Sequence, residues 1–211
     1  MPTVEEAQEW YDPHDPVHGF DHVLRVLKLA QKIGEELGAD LEIIYAAALL
    51  HDATDAAPGD EGKRESHEQN SADFARRILL AESWEEDRIE AVQRCIRTHR
   101  FRGSESPNSL EAKILFDADK LDVVGAFGVA RTLGYAIQAG KPFFAEPSER
   151  FLSSGVEEQG ESHSAYHEYL FKLKRVPERL FTYPARRMAE RRHEVLVQFF
   201  EQLAQEARGE E

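Results

Sequence analysis

Several kinds of residue and segment are scarce in this sequence, and each scarcity excludes a class of protein. The single cysteine, Cys95, allows neither an internal disulfide nor a zinc site built from thiolates. No run of apolar residues is long enough to cross a bilayer. The opening residues, MPTVEEAQEW, lack the basic and apolar parts of a signal peptide. We therefore expect a cytoplasmic protein without membrane contact, in which any metal is held by His, Asp and Glu.

Positive charge is also in short supply. The chain has 26 Lys and Arg against 40 Asp and Glu, which gives a formal net charge of −14. This balance disfavours broad electrostatic binding to nucleic acid polymers or anionic membranes. The one dense basic patch, Arg186–Arg192, also contains Glu190, so we interpret it as a solvated helix face. An anionic substrate must therefore be bound by cations placed locally at its site.

Apolar residues recur at helical spacing along most of the chain. Hydrophobic residues make up 41% of the 211 residues and charged residues 31%, the balance of a globular protein. Strand-like alternation nowhere extends beyond a few residues, so we predict an all-α fold in one domain. Helices are expected at Thr3–Tyr11, Asp21–Leu37, Asp40–Asp52, Ser66–Ala81, Glu85–Arg100, Leu110–Ala139 (one helix or two), Ser164–Leu173 and Pro184–Ala207. Gly140–Gly160, rich in Pro, Gly, Ser and Glu, is predicted to be an irregular flap that closes over a ligand.

Residues that can bind a metal interrupt the apolar faces of three predicted helices. His51 continues an apolar stripe and is followed directly by Asp52. His22 lies at the edge of a second stripe, and Asp119 lies on a largely buried face of a third helix. Burying an unpaired carboxylate is very costly, so a divalent metal or a salt bridge must satisfy these groups. Two imidazoles and two carboxylates suit Mn, Fe, Co, Ni or Zn, while Mg is less natural beside imidazoles.

Taken in order, these residues resemble the H…HD…D signature of the HD superfamily of metal-dependent phosphohydrolases. HGFDHVLRV and AALLHDATD look like the first two motifs of the small bacterial HD hydrolases, and DADKLDVVGAFGVART resembles a third. SHSAYHEYLFKLKRV and ARRMAERRHEVLVQFFEQ resemble the C-terminal part of the same subfamily. The resemblance covers nearly the whole chain. It implies a single HD domain over residues 1–211, with an HD core at about 18–125 and a C-terminal helical part at about 126–208.

The resemblance also implies a metal centre. Its ligands would be His22, His51, Asp52 and Asp119, and its cofactor one divalent ion, namely Mn, Co, Ni, Fe or Zn, with Mg as an alternative. Asp117 and Asp122 are expected to support or cap rather than to bind the ion. Asp55 would orient or activate the attacking water, although the family usually has Glu there. The other interpretation of Asp55 is a C-terminal cap in a turn.

Two further histidines and two cations are expected to face the substrate. HD proteins with two metals often carry a His-His pair, whereas here His99 is followed by Arg100. The resemblance therefore implies one metal, with His67 and His99 turned toward substrate phosphate or water. A second metal, or core histidines with local hydrogen bonds, are the alternatives. Arg25 and Lys120, each close in sequence to a ligand, are expected to bind phosphate.

The function implied by these residues is hydrolysis of a phosphate ester or anhydride. A nucleotide is the expected substrate, and a nucleoside triphosphate that releases pyrophosphate is the leading hypothesis. One alternative is a 5'-nucleotidase-type phosphomonoesterase, and another is a catalytically silent helical module that binds a nucleotide or metal. The expected partner is a small-molecule phosphate substrate, without a nucleic acid polymer or a membrane, and a homodimer is left open.

Overall fold

The computed structural model describes residues 1–13, 19–54, 67–100 and 105–210. Within these ranges the regular structure is helical and no strand occurs, which confirms the predicted all-α fold. The helices are α1 (Val4–Gln8), α2 (Phe20–Leu37), α3 (Leu41–Leu50), α4 (His67–Ala81), α5 (Glu86–Arg97), α6 (Leu110–Asp122), α7 (Gly125–Gln138), α8 (Glu149–Ser154), α9 (Ala165–Phe171), a 3-10 helix (Leu173–Arg179) and α10 (Tyr183–Arg208). None of these is both long and apolar enough to span a bilayer.

The predicted Leu110–Ala139 segment forms two helices. Val124 is extended, and Gly125 has a left-handed φ of 79°, a conformation that a side chain would strain. Of the two predicted alternatives, one helix or two, the structure shows two, and the acids Asp117–Asp122 lie in the last turns of α6.

Gly140–Gly160 is not irregular throughout, because it contains α8. The hydroxyl of Ser148 accepts the backbone N–H of Phe151 at the start of this helix, at 3.0 Å. Glu161 in turn accepts the backbone N–H of Ser148 at 2.8 Å and its hydroxyl at 2.7 Å. The hydrogen bonds correct the prediction of irregular structure. Closure of this segment over a ligand remains a prediction.

The chain divides into two compact units, of which unit 1 comprises Met1–Asp122 with Leu180–Ala185. In unit 1, α2 packs against α3 and α6, α4 packs against α5, and α3 also contacts α4, α5 and α6. Almost every side chain of Ile43–Leu50 is buried, because α3 has neighbours on most sides. The residues that follow α3 therefore enter the interior of unit 1.

The start of α3 is held by a capping residue that is itself paired. Asp40 Oδ1 accepts the backbone N–H groups of Glu42 and Ile43, at 3.0 and 3.1 Å. Arg88 of α5 donates to Asp40 Oδ2 at 2.9 Å. This contact ties the start of α3, the helix that leads to His51, to α5.

Unit 2 comprises Val123–Arg179 with Arg186–Glu211. Its core includes the stacked rings of Tyr169 and Phe200, with centroids 4.7 Å apart. At Gly128 of α7, a Cβ would lie 2.4 Å from the carbonyl oxygen of Val123, so only glycine fits there. The single domain over residues 1–211 stays a prediction.

Candidate metal centre

Five of the predicted metal-binding and substrate-binding residues of unit 1 come from the ends of helices. His51 and Asp52 directly follow the last residue of α3, and His22 lies in the first turn of α2. His67 is the first residue of α4, and His99 lies two residues beyond the end of α5. All five are buried. Because α2, α4 and α5 lie against or next to α3, these helix ends meet in one place.

Three of the predicted ligands form a first group. The candidate ligand atoms of His22, His51 and Asp52 all lie within 4.8 Å of one another. Oδ2 of Asp52 is 3.3 Å from Nε2 of His51 and 3.8 Å from Nε2 of His22. The fourth predicted ligand, Asp119, adjoins this group, since its Oδ1 lies 3.4 Å from Nε2 of His22. The first group and Asp119 together bring two imidazole nitrogens and carboxylate oxygens from α2, the end of α3 and α6 to one place.

The other oxygen of Asp52 faces a second group. Oδ1 lies 3.2 Å from Nε2 of His99 and 3.5 Å from Nε2 of His67. The candidate ligand atoms of Asp52, His67 and His99 also lie within 4.8 Å of one another. Asp52 therefore stands between two groups of identical composition, each with two imidazoles and one of its own oxygens.

The hydrogen bonds of the imidazoles determine which ring nitrogen is available. Nδ1 of His51 lies 2.8 Å from the carbonyl oxygen of Ala48, and Nδ1 of His99 lies 2.6 Å from that of Ile96. A carbonyl oxygen only accepts, so Nδ1 carries the proton in both rings and donates it. In the neutral rings Nε2 then presents a lone pair, which is the form that binds a metal.

Two buried polar atoms support this interpretation. Within the described residues, neither Nε2 of His51 nor Oδ1 of Asp52 has a hydrogen-bond partner of acceptable geometry. A lone pair of a neutral imidazole that faces a carboxylate oxygen is repelled by it, and burial removes the water that would separate them. A divalent cation in the first group satisfies Nε2 of His51 together with Oδ2 of Asp52. Oδ1 of Asp52 faces the Nε2 atoms of His67 and His99 in the second group. The residues present therefore fit a metal ion.

The electrostatics of the first group show how strongly it attracts positive charge. Burial alone would lower the pKa of His51, but the charges of Asp52 and Asp119 raise it to about 9. Burial alone would likewise raise the pKa of Asp52, but His51 holds it well below its usual range. The carboxylate of Asp52 therefore stays ionised in a buried position, beside either a protonated His51 or, when His51 is neutral, a metal cation.

The two carboxylate oxygens of Asp119 contact different partners. Its Oδ1 faces His22, while its Oδ2 forms an ion pair with the ammonium group of Lys120. Burial opposes ionisation of Asp119, but the charge of Lys120 and the contact with His22 hold its pKa well below the usual range. The ammonium group also lies 5.4 Å from the ring centroid of Phe116, within the range of a cation–π contact. Lys120 is thus a buried cation beside the first group.

Arg25 is paired with a different acid. Its Nε donates to Oδ1 of Asp122 at 2.7 Å, and a terminal nitrogen donates to Oδ2 at 3.0 Å. Nδ1 of His22 lies 2.7 Å from the same Oδ2. Asp122 was predicted to support the metal site or to cap a helix, and not to bind the ion. The sequence did not show which side chains it contacts, although a buried acid three residues after Asp119 was a signal.

Asp117, like Asp122, was predicted to support or cap, but its surroundings differ. It accepts the backbone N–H groups of Phe181 and Thr182 and so caps the chain just before α10. Asp55, the predicted water-orienting residue, lies outside the described residues. Of the predicted site residues that are described, the structure brings His22, His51, Asp52, Asp119, Arg25, Lys120, His67 and His99 together in one region of unit 1.

The geometry of the site is that of a metal-binding helical protein. Helix ends of an all-α fold converge on buried imidazoles and carboxylates, a mixed nitrogen and oxygen donor set that suits divalent metals. The sequence model of the HD domain family matches residues 19–124 of the chain.

Comparison with individual proteins agrees with the family match. The Bacillus subtilis protein YpgQ is 32% identical over 194 residues, which are 91% of this chain and 85% of YpgQ. The crystal structure of YpgQ in complex with ADP superposes with a TM-score of 0.72 at 28% identity, over 99% of this chain and all of that one. An HD-superfamily hydrolase from Bacillus thuringiensis superposes with a TM-score of 0.64 at 27% identity, over 97% of this chain and 93% of that one.

The chain therefore belongs to the HD domain family and is an enzyme of the HD-superfamily hydrolase class, which confirms the resemblance seen in its sequence.

Proposed function

We propose that the protein hydrolyses a phosphate bond of a nucleotide with a divalent metal held by His22, His51, Asp52 and Asp119. The observation that carries this proposal is the first group itself. Buried Nε2 atoms of His22 and His51 face buried carboxylate oxygens at 3.3 to 3.8 Å, an arrangement that a divalent cation between them would stabilise. Such an ion supplies Lewis-acid activation of water and of a phosphoryl oxygen.

Residues of the chain itself orient the two groups and neutralise the charge of the substrate. Asp52 contributes one oxygen to each group and so fixes the distance between them. Lys120 and Arg25 lie next to Asp119 and His22, where each can offset the negative charge of a phosphate. They supply the local positive charge that a chain of net charge −14 must concentrate at its site to bind an anion.

His67 and His99 are proposed to contact the transferred phosphoryl group or the attacking water. Their Nε2 atoms face Oδ1 of Asp52, on the side opposite the first group. The composition of this second group equally suits another ion, and the number of bound ions decides between the two roles. Asp55 is proposed to take or orient the proton of the attacking water, three residues after Asp52.

A nucleotide is the proposed substrate class. The support comes from YpgQ, whose crystal structure was obtained in complex with ADP and whose fold matches nearly the whole of this chain. A polyphosphate chain also suits a site with two cationic side chains and one or two ions better than a neutral ligand does. We propose Mn- or Co-supported cleavage of a nucleoside triphosphate between the α and β phosphorus atoms, with release of pyrophosphate.

Product analysis by phosphorus NMR tests this proposal. The metal-free protein is incubated with nucleoside tri- and monophosphates and with Mn, Co, Ni, Zn or Mg. Nucleoside monophosphate plus pyrophosphate is the expected product pair. Asp52→Asn should abolish turnover, because it removes the charge shared by both groups. Asp73→Asn, an exposed position on α4, is the matched control and should retain wild-type turnover.

Two other outcomes would change the assignment. Orthophosphate released only from monophosphates would make the protein a 5'-nucleotidase-type phosphomonoesterase. Absence of turnover with every nucleotide and metal would favour a catalytically silent module that binds a nucleotide or metal.

A further inference from the structure

Asp122, the last residue of α6, joins two residues to which the sequence assigned different roles. Its Oδ2 lies 2.7 Å from Nδ1 of His22, a proposed metal ligand. The same carboxylate accepts Nε and a terminal nitrogen of Arg25, a proposed phosphate-binding cation, at 2.7 and 3.0 Å. Only 1% of Asp122 is exposed, so it cannot itself reach a substrate.

Helix geometry explains why one carboxylate reaches both residues. His22 and Arg25 are three residues apart on α2 and so lie on one face of that helix. Asp119 and Asp122 are likewise three residues apart on α6, which packs against α2. Asp119 faces Nε2 of His22 and Asp122 faces Nδ1 of the same ring, so the two acids hold the imidazole from both sides.

His22 differs in this respect from the other anchored imidazoles. The Nδ1 atoms of His51 and His99 are held by neutral carbonyl oxygens of their own helices. Nδ1 of His22 is held by a carboxylate on another helix. A carboxylate acceptor fixes the tautomer and also makes the opposite nitrogen a stronger donor to a metal.

We propose that Asp122 is a positioning residue with two tasks. It holds His22 with Nε2 directed at Asp52 and Asp119, and it holds the guanidinium of Arg25 in a fixed orientation beside the same imidazole. The two-point pairing with Arg25 restricts that side chain far more than a single contact does. The proposal rests on the proposed function for the meaning of both tasks, but the first task can be tested without any substrate.

The variant Asp122→Asn tests the positioning role without a change in packing, because Asn has nearly the same size as Asp. The single carbonyl oxygen of the asparagine side chain can accept a hydrogen bond from His22 or from Arg25, but not from both. The NH2 group then faces whichever of the two residues is left, and that residue loses its acceptor. The negative charge is lost as well. Asp117→Asn is the matched control, since Asp117 is also buried on α6 but contacts Phe181 and Thr182 rather than His22.

Calorimetric titration of the metal-free proteins with Mn²⁺ is the first measurement. Asp122→Asn should weaken Mn²⁺ binding by about ten- to a hundredfold, the usual loss when the partner of a metal-binding histidine is removed. Asp117→Asn should keep its Mn²⁺ affinity within about threefold even though it unfolds more easily. Arg25→Gln should bind Mn²⁺ as well as the wild type, because the contact between His22 and Asp122 remains.

Nitrogen NMR of the histidine side chains is the second measurement. The wild type should show His22 with its proton on Nδ1 alone, and Asp122→Asn should show a mixture of tautomers. A purely structural role for Asp122 would not move this signal.

For Arg25, the expected result is a raised KM for the nucleotide in both Arg25→Gln and Asp122→Asn.

Several results would overturn the proposal. Wild-type Mn²⁺ affinity in Asp122→Asn would remove the first task, as would equal losses in Asp122→Asn and Asp117→Asn, which would report unfolding alone. An unchanged KM in Arg25→Gln would remove the second task. A wild-type protein that binds none of Mn²⁺, Co²⁺, Ni²⁺ and Zn²⁺ would instead refute the metal site of the proposed function, and the tautomer of His22 would still test Asp122.

Discussion

Asp117 of α6 accepts hydrogen bonds from both the backbone N–H and the hydroxyl of Thr182, each at 2.7 Å, although the two residues are 65 positions apart. Its other oxygen accepts the backbone N–H of Phe181 at 2.8 Å. One buried carboxylate thus holds the chain that leads into α10 against α6, inside unit 1.

Asp117→Asn should therefore lower the free energy of unfolding by about 2 to 3 kcal/mol, because its amide nitrogen would face a donor and leave one of the two backbone N–H groups without an acceptor. Urea unfolding of the metal-free protein measures this loss. The exposed Asp73→Asn should stay within about 0.5 kcal/mol of the wild type. A similarly small change in Asp117→Asn would show that these hydrogen bonds contribute little.

The number of bound ions follows from the two groups that share Asp52. Under the one-ion proposal, metal analysis after dialysis against Mn²⁺ should find about one ion per chain in the wild type. His99→Ala should keep that ion, and His51→Ala should lose it. The wild type should also melt at a higher temperature with Mn²⁺, since an ion at a hundred times its Kd adds about 2.7 kcal/mol.

Two ions in the wild type and one in His99→Ala would establish the second group as a metal site. Full occupancy in both His51→Ala and Asp52→Ala would contradict the assignment of the first group.

Asp55 is predicted to act on water and not on the metal. Asp55→Asn should keep the wild-type Mn²⁺ affinity but lose turnover by on the order of a hundredfold or more, because the amide cannot accept a proton. Steady-state kinetics at saturating Mn²⁺ give the turnover, and calorimetry gives the affinity. Wild-type turnover in Asp55→Asn would leave the residue as a turn cap.

Cys95 is buried, and burial raises the pKa of its thiol to about 12, against about 9 in an unfolded chain. Between these values the unfolded chain loses the thiol proton and the folded chain keeps it. The free energy of unfolding should therefore fall as the pH rises above about 9, by up to about 1.4 kcal/mol per pH unit from this group.

The difference between the wild type and Cys95→Ala isolates this contribution, because the other titrating groups are common to both. The folded wild type should also resist a thiol reagent at pH 8 and react once urea unfolds it. Rapid labelling of the folded protein would contradict the buried, protonated thiol.

Periodicity along the chain was sufficient for the fold class and for most of the helices. Apolar residues at helical spacing place α2, α3 and α5 within a few residues of their observed bounds, because burial of one helix face is a local property of the sequence. It did not decide the break between α6 and α7, where Val124 and Gly125 leave the helix, or the presence of α8 in a segment rich in glycine and serine.

The motifs likewise indicated which residues form the site, but not which side chains each carboxylate contacts. The order His22, His51-Asp52 and Asp119 was enough for the HD family, which the family match then established. The division of Asp52 between two pairs of imidazoles, and of Asp122 between His22 and Arg25, depends on how α2, α4, α5 and α6 pack around α3. A sequence determines which side chains a helix carries on its inner face. Only the packing of separate helices decides which ligand atoms come within hydrogen-bonding or metal-binding distance of one another. The residues that carry these atoms are up to about a hundred positions apart in the sequence.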